Sequence, residues 1–415
     1  MNKDFKVIKS CRICNSKKIL NILNLGNHPL ANELNAFKNQ KSKKYPLKLV
    51  FCSSCKTIQI SATVDQKKLF NKYVWTTGTS SHANEFSLNF ATKVLNKCKV
   101  QKPFVVEIAS NDGTFLKPFK KKKFKILGVE PASNICTIAR KQGIKTIKEF
   151  FNKKTANKIS KQYGQADIIF ARNVIPHSSM IHSIIDGINS LLSIKKGIVA
   201  IEFHYAKNIL EGLQYDSIYH EHLFYFTAKT LINLLEKYGL NCFDCEKSPI
   251  SGGALILFFS KDIKNRKSKK LNILLKKEND IKLNQFETWK KFKIQALIHR
   301  KKFNKLIKEM SKKEKIIAYG ASARSSTLLN FSNIDNKNVK FIIDKSKLKH
   351  NKFSPGSNIP IVSFDKIKDL IVASKKILIL SWNFKKEIIK DLRLKRFKGQ
   401  IITPLPNKIK EYEIY

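Results

Sequence analysis

The sequence predicts an α/β protein: a large, mostly parallel sheet with crossover helices, flanked by a small cysteine-bearing amino-terminal unit and by a second, smaller α/β unit. Three observations predict it. Two Cys-x-x-Cys pairs fall within residues 1–70, strand-like apolar runs alternate with helical ones from Pro103 onward, and that alternation restarts near residue 313 after a charge-dense helical stretch. A chain of 415 residues with 42% apolar composition can bury more than one core. No run approaches the roughly 18 to 20 uninterrupted apolar residues of a membrane span. The amino end, MNKDFKVIKSC, lacks the apolar middle of a secretion signal. A cytoplasmic protein with no membrane partner is expected.

In the amino-terminal unit, residues 1–70, Cys11 and Cys14 form one pair and Cys52 and Cys55 the other. Four thiolates suit tetrahedral zinc, and because protein would fill all four positions the ion is expected to be structural. Metal binding supplies folding free energy directly, which explains how so small a segment can fold. The other four cysteines, Cys98, Cys136, Cys242 and Cys245, are expected to be packing residues. Cys242 and Cys245 lie in a strand-like run, where an odd separation sends side chains to opposite faces.

Residues 71–262 carry the main α/β pattern. PFVVEIAS reads as a buried strand, NDGTF as a turn opening a helix, and KILGVEP as a second strand. IARKQG (helix), GIKTIKEF (strand), ADIIFARNV (strand), IIDGINSLL (helix) and GIVAIEFH (strand) continue it, implying right-handed crossovers and a mostly parallel sheet. Ligands of such sheets bind outside the carboxyl ends of the strands. There Glu107, Ala109, Asn111, Asp112 and Gly113 make an acidic strand end and a small-residue turn. Glu130 closes the second strand, where its carboxylate can accept from both hydroxyls of a ribose. The turn lacks a G-x-G-x-x-G and would seat a pyrophosphate poorly, so S-adenosylmethionine, which carries no phosphate, is expected rather than a dinucleotide. Glu149 and Phe150 could border its adenine.

The fourth strand leads into Asn173-Val174-Ile175-Pro176-His177, and the fifth into Glu202-Phe203-His204 and then Tyr219-His220-Glu221-His222. His177, His182, His204, His220 and His222 are five of the nine histidines. Burying a Tyr-His-Glu-His run would leave many polar atoms needing partners, so it is not expected to be a simple core segment. Without His-Glu-x-x-His spacing, acid–base work is the expected chemistry rather than helical zinc catalysis.

Residues 263–312 are apolar at helical spacing between charges and predict one or two long amphipathic helices. Residues 313–415 then repeat the strand pattern in KIIAYGAS, VKFIIDKS and KKILILSW. The net charge of +49 is spread along the chain rather than clustered, which favours a solvated basic surface over a nucleic-acid footprint. An anionic small substrate would still be drawn in by such a field.

Taken together, these residues resemble the sugar C-methyltransferase family that acts on thymidine-diphosphate-linked 4-keto deoxysugars. The resemblance runs through the four cysteines with Pro29-Leu30-Ala31-Asn32, the segment from Tyr73 to Ser80, the turn ending at Gly113, and Asn173 with His177. It continues through Tyr219-His220-Glu221-His222, Ser251-Gly252-Gly253, Gly320-Ala321-Ser322-Ala323 and Pro355-Gly356. It implies a small zinc-binding domain, a class I methyltransferase domain with a Rossmann-like sheet, and a Rossmann-like carboxyl-terminal domain, with the active site in the cleft between them. It further implies His222 as general base with Tyr219 and Glu221 beside it. Tyr73, Asn173 and His177 would be substrate-positioning groups, with His177 an alternative to Tyr219 as donor to the developing oxyanion, and Asn173 also bordering the methyl donor. The partner is then a nucleotide-diphosphate-linked keto sugar; no nucleic acid is expected, and a monomer is expected.

Two alternatives stay open at this stage. A nucleic-acid methyltransferase fits the zinc and the basicity, but Asn173-Val174-Ile175-Pro176 is not the Asn/Asp-Pro-Pro-aromatic loop of amino-group methylation, and no Pro-Cys is present for pyrimidine carbon. A non-catalytic zinc module that binds nucleic acid leaves the His and Tyr run unexplained.

Overall fold

The structure is a computed structural model that describes residues 4–65, 69, 76–79, 81–262 and 266–412. Near the amino end, Ile19–Pro29 and Lys44–Cys52 form a long antiparallel hairpin extended by Ile58–Ile60. The fourth strand of this sheet, Phe224–Tyr225, comes from just beyond the Tyr-His-Glu-His run. The cysteine-bearing unit and the histidine-rich loop thus share one sheet.

The central sheet has seven strands in the order Asn241–Ser248, Ala254–Ser260, Ile198–His204, Ile168–Arg172, Phe104–Ile108, Lys125–Val129, Thr146–Ile147. The last five are parallel and the first two antiparallel. Alternate residues feed two cores: Val106, Ile108, Ile169 and Ile201 point to one face, and Val105, Ile168, Phe170 and Ala200 to the other. Burial on both faces is why these strands read as continuous apolar runs. GIKTIKEF contributes only Thr146–Ile147, at the sheet edge.

Cys242 and Cys245 do not face opposite ways. The register slips between Cys242 and Asp244, which resets the alternation, and both thiols join the same core.

The charge-dense stretch forms helices Lys269–Asp280 and Phe286–Met310. Trp289, Phe292, Ala296, His299, Phe303 and Ile307 make the buried stripe of the longer one, three or four residues apart. The carboxyl-terminal sheet runs Lys352–Phe353, Pro360–Val362, Val339–Ile343, Ile316–Tyr319, Lys376–Ile379, Gln400–Thr403, Lys410–Tyr412, with five parallel inner strands between two antiparallel edges. Among the described residues no helix is long and apolar enough to cross a membrane.

Candidate active site

Cys11, Cys14, Cys52 and Cys55 bring their sulfurs within 4.8 Å of one another, with Cys11–Cys55 and Cys14–Cys52 each at 3.6 Å. Four sulfurs at about 2.3 Å from a tetrahedral zinc stand about 3.8 Å apart, so the set fits the ion with little adjustment. Gln59 donates to Cys11 Sγ at 3.1 Å, and Arg12 braces Gln59 Oε1 at 3.0 Å and the Ile60 carbonyl at 2.6 Å. The Arg12 carbonyl meets His182 Nε2 at 3.0 Å, and His182 Nδ1 meets the Tyr238 hydroxyl at 2.6 Å. His182 is therefore a brace between the zinc turn and the central sheet's helices.

The turn after Phe104–Ile108 holds Ala109 at φ 51°, Asn111 at 49° and Gly113 at 77°. A Cβ on Gly113 would lie 2.7 Å from Ile144 Cγ1, so only glycine fits there without displacing that side chain. The Glu130 carboxylate accepts the Asn111 and Ala132 amides, each at 2.9 Å, which uses one lone pair per oxygen and leaves one on each for a ribose. Burial raises its pKa against those two bonds. Asp112 accepts from Thr114 and from the Gly78 amide at 2.7 Å, while Asn111 accepts from the Thr77 amide at 2.9 Å. The segment 77–79 thereby roofs the turn. Glu107 Oε2 and Ser110 Oγ are buried with no hydrogen-bond partner among the described residues. Orphaned polar atoms beside a glycine cradle are what a polar ligand would complete, and they fit S-adenosylmethionine. Burial pushes the Glu107 carboxyl well above the ordinary range, with Arg172 opposing. Glu149, by contrast, is engaged by Thr155 and Lys158.

Next along the sheet edge, Asn173 sits at φ 52° with its amide on the Glu202 carbonyl at 2.8 Å. The His177 ring stands 4.6 Å from that of His222, edge to face, and the His204 ring 6.3 Å from it. His222 Nδ1 lies 3.1 Å from the Ser217 carbonyl and Nε2 lies 2.8 Å from the Tyr219 hydroxyl. A carbonyl can only accept, so the proton belongs on Nδ1 and the lone pair on Nε2. Burial, with His177 and His204 adding to it, drives the His222 pKa well below its usual value. Burial likewise takes His177 and His220 down to about 4 and His204 to about 3. Glu221 goes up to about 7, opposed by a hydrogen bond from Asn32 Nδ2 at 2.6 Å.

His220 and Glu221 of the run are in fact buried, as are Tyr215, Asp216 and Ser217 just before it, while Tyr219 and His222 are half-buried. Its polar atoms find partners in other elements that sequence spacing does not reveal. His220 reaches the Pro46 carbonyl at 3.3 Å, and the Tyr215 hydroxyl meets His299 at 2.9 Å. Asp216 takes Arg324 and Trp382, both from the carboxyl-terminal unit. These last two were not anticipated. The glycine turn at Gly320 is filled by protein: an added Cβ would sit 2.2 Å from Ser381 Oγ, and Lys349 bridges Asp344 and the Ala321 carbonyl at 3.1 and 2.9 Å. Tyr73, expected to position substrate, lies outside the described residues.

A zinc-binding domain family matches residues 11–70, a methyltransferase domain family residues 85–244, and the C-methyltransferase C-terminal domain family residues 249–406. The C-methyltransferase NovU of Streptomyces niveus is 26% identical over 409 residues, covering 96% of each chain. Among solved structures, magnesium protoporphyrin IX methyltransferase of Synechocystis with bound SAM is 9% identical, covering 43% of this chain and 79% of its own at a TM-score of 0.33. A SAM-dependent methyltransferase of Archaeoglobus fulgidus is 16% identical, covering 40% and 72% at 0.34. With zinc-binding, methyltransferase and C-methyltransferase carboxyl-terminal units matched in sequence order, and a C-methyltransferase aligned almost end to end, the chain is a SAM-dependent C-methyltransferase that carries an amino-terminal zinc-binding domain.

Proposed function

We propose that the protein methylates the carbon next to the keto group of a nucleotide-diphosphate-linked keto deoxysugar, with His222 as the general base. The observation that carries this reading is the fixed tautomer of His222: Nδ1–H is committed to the Ser217 carbonyl, and Nε2 keeps a lone pair in a site that burial holds neutral. A proton on a carbon beside a carbonyl becomes removable when such a base is within reach and donors meet the enolate oxygen.

In the resting arrangement the Tyr219 hydroxyl donates to Nε2 at 2.8 Å. Deprotonation requires that lone pair, so the substrate displaces the hydroxyl, which is then free to donate to the enolate oxygen, with His177 as the neighbouring alternative. S-Adenosylmethionine, when bound, supplies a methyl group on a sulfonium. Glu130, Asn111, Asp112, Gly113, Ala109 and Glu107 would hold it, and Asn173 would border it together with the sugar. His222 Nε2 takes the proton from the carbon, and the donor would supply the methyl for the new carbon–carbon bond, its sulfur–carbon bond breaking to leave a neutral thioether. The zinc ion has no place in this step. Its four protein ligands leave no open position.

The reading divides the chain into a zinc-binding domain over residues 1–70, a methyltransferase domain over 71–262, a helical connector over 263–312 and a Rossmann-like domain over 313–415. The test is incubation with labelled methyl donor and a panel of nucleotide-linked keto sugars, scored for methylated product. Replacing His222 with Ala should reduce turnover by about 10²-fold or more while leaving SAM affinity near wild type. Unchanged turnover in that variant removes His222 from the role.

A further inference from the structure

We propose that Arg324 is a positioning residue for His222, holding in place the backbone carbonyl that decides which imidazole nitrogen carries the proton. The inference rests on the reading of His222 as base. Arg324 donates from Nε to Asp216 Oδ2 at 3.0 Å and from Nη2 to Oδ1 at 2.8 Å. Trp382 Nε1 adds a bond to the same Oδ2 at 2.8 Å, and its ring lies under the guanidinium at 4.5 Å. Asp216 is fully buried in the short turn Tyr215–Ser217, and the next carbonyl along, that of Ser217, accepts from His222 Nδ1.

The grip takes the residues on both sides of Ser217. Thr327, one turn beyond Arg324 on the helix Ala323–Phe331, donates to the Ile218 carbonyl at 3.0 Å. One face of this helix therefore holds 216 and 218, the two neighbours of Ser217. A buried ion pair adds little net stability relative to apolar packing of the same volume, so a directional role is the better account of its presence. The filled Gly320 turn agrees: the first turn of this helix reaches toward the methyltransferase unit. The guanidinium also disfavours protonation of His222 and of His204, whose Nε2 shares Gln214 Oε1 with Arg324. The groups facing His222 are His177, His204, Tyr219, Tyr225 and, behind the Ser217 turn, Asp216 and Arg324.

The experiment uses the full-length, zinc-loaded chain with nitrogen-15 histidine, observed by two-bond proton–nitrogen spectra from about pH 6 to pH 8, with His222→Asn identifying the resonance. In the wild type, His222 should be a neutral Nδ1–H tautomer throughout. In Arg324→Gln the freed Ser217 carbonyl should let it become a mixture of the two tautomers. Binding of SAM alone, measured by calorimetry, should stay within about threefold because its cradle lies on other strands. Trp382→Phe, a milder change that removes one donor to Asp216, should move the same signal in the same direction by less. A His222 signal that keeps its tautomer in whichever of the two variants folds overturns the inference. Full turnover on a keto sugar by His222→Asn would instead overturn the base assignment and leave the tautomer result standing, so the two failures are distinct.

Discussion

Asn32 Nδ2 lies 2.6 Å from Glu221 Oε1, a single hydrogen bond that joins the zinc-bearing unit to the segment carrying His222. Glu221 stays protonated in the folded chain up to about pH 7, against 4.5 when it is free of the fold. The folded state thus binds the extra proton between those values, and its stability falls as pH rises through that window, by on the order of 3 kcal/mol. Glu221→Gln should abolish this fall. Urea unfolding of the wild type and the variant at the two ends of the window checks it, and equal slopes would mean that Glu221 ionises normally. Asn32→Ala should widen the window upward, because it removes the bond that favours the charged form.

His222 must be neutral to accept a proton, and burial with two imidazole neighbours pushes its pKa below the ordinary 6.5. Turnover should therefore hold its plateau as pH falls through 6.5 and drop only at more acid values. A kcat profile with a midpoint near 6.5 would report a solvated imidazole and contradict the buried geometry.

What could be seen in the sequence and what could not divides along physical lines. The central sheet was legible because strands buried on both faces must be apolar throughout, as in Val105 to Ile108 and Ile168 to Ala171. The zinc set was legible because both halves of each thiolate pair sit three residues apart. The burial of Tyr215, Asp216 and His220 was not, because their partners His299, Arg324 and the Pro46 carbonyl lie tens to hundreds of residues away, and no local spacing signals a long-range hydrogen bond. The same limit concealed the shared sheet. Phe224–Tyr225 is too short to read as a strand, and its partner lies near Ile58. The slip beside Cys242 defeated a period-2 argument because a bulge leaves no composition mark.

Gly113→Ala should weaken SAM binding by roughly tenfold and lower stability by about 1–3 kcal/mol, since a side chain at φ 77° is strained and its Cβ meets Ile144. Adding Ile144→Ala should recover part of the SAM affinity by clearing that contact, though not the backbone strain. Calorimetric binding of SAM to both variants checks this, and no difference between them would show that the Ile144 contact is not what limits the turn.

Zinc removal separates support from chemistry. The hairpin that carries Cys52 also pairs through Ile58–Ile60 with Phe224–Tyr225, and the Ile60 amide bonds the Leu223 carbonyl at 3.0 Å, so the strand after His222 depends on the metal-held sheet. Loss of the ion should loosen that sheet and with it the Asn32–Glu221 contact, because the bonds that tie the four cysteines together go with it. The donor turn at 109–113 grows from the central sheet and, among the described residues, has no contact of this kind. A chelator strong enough to extract one zinc per chain should therefore abolish methyl transfer while SAM binds within about threefold of its original affinity. Metal analysis, calorimetry and a methylation assay on one sample decide it: retained methyl transfer without zinc would show that the histidine loop holds its geometry unaided, and joint loss of SAM binding would place the zinc unit's influence on the donor site instead.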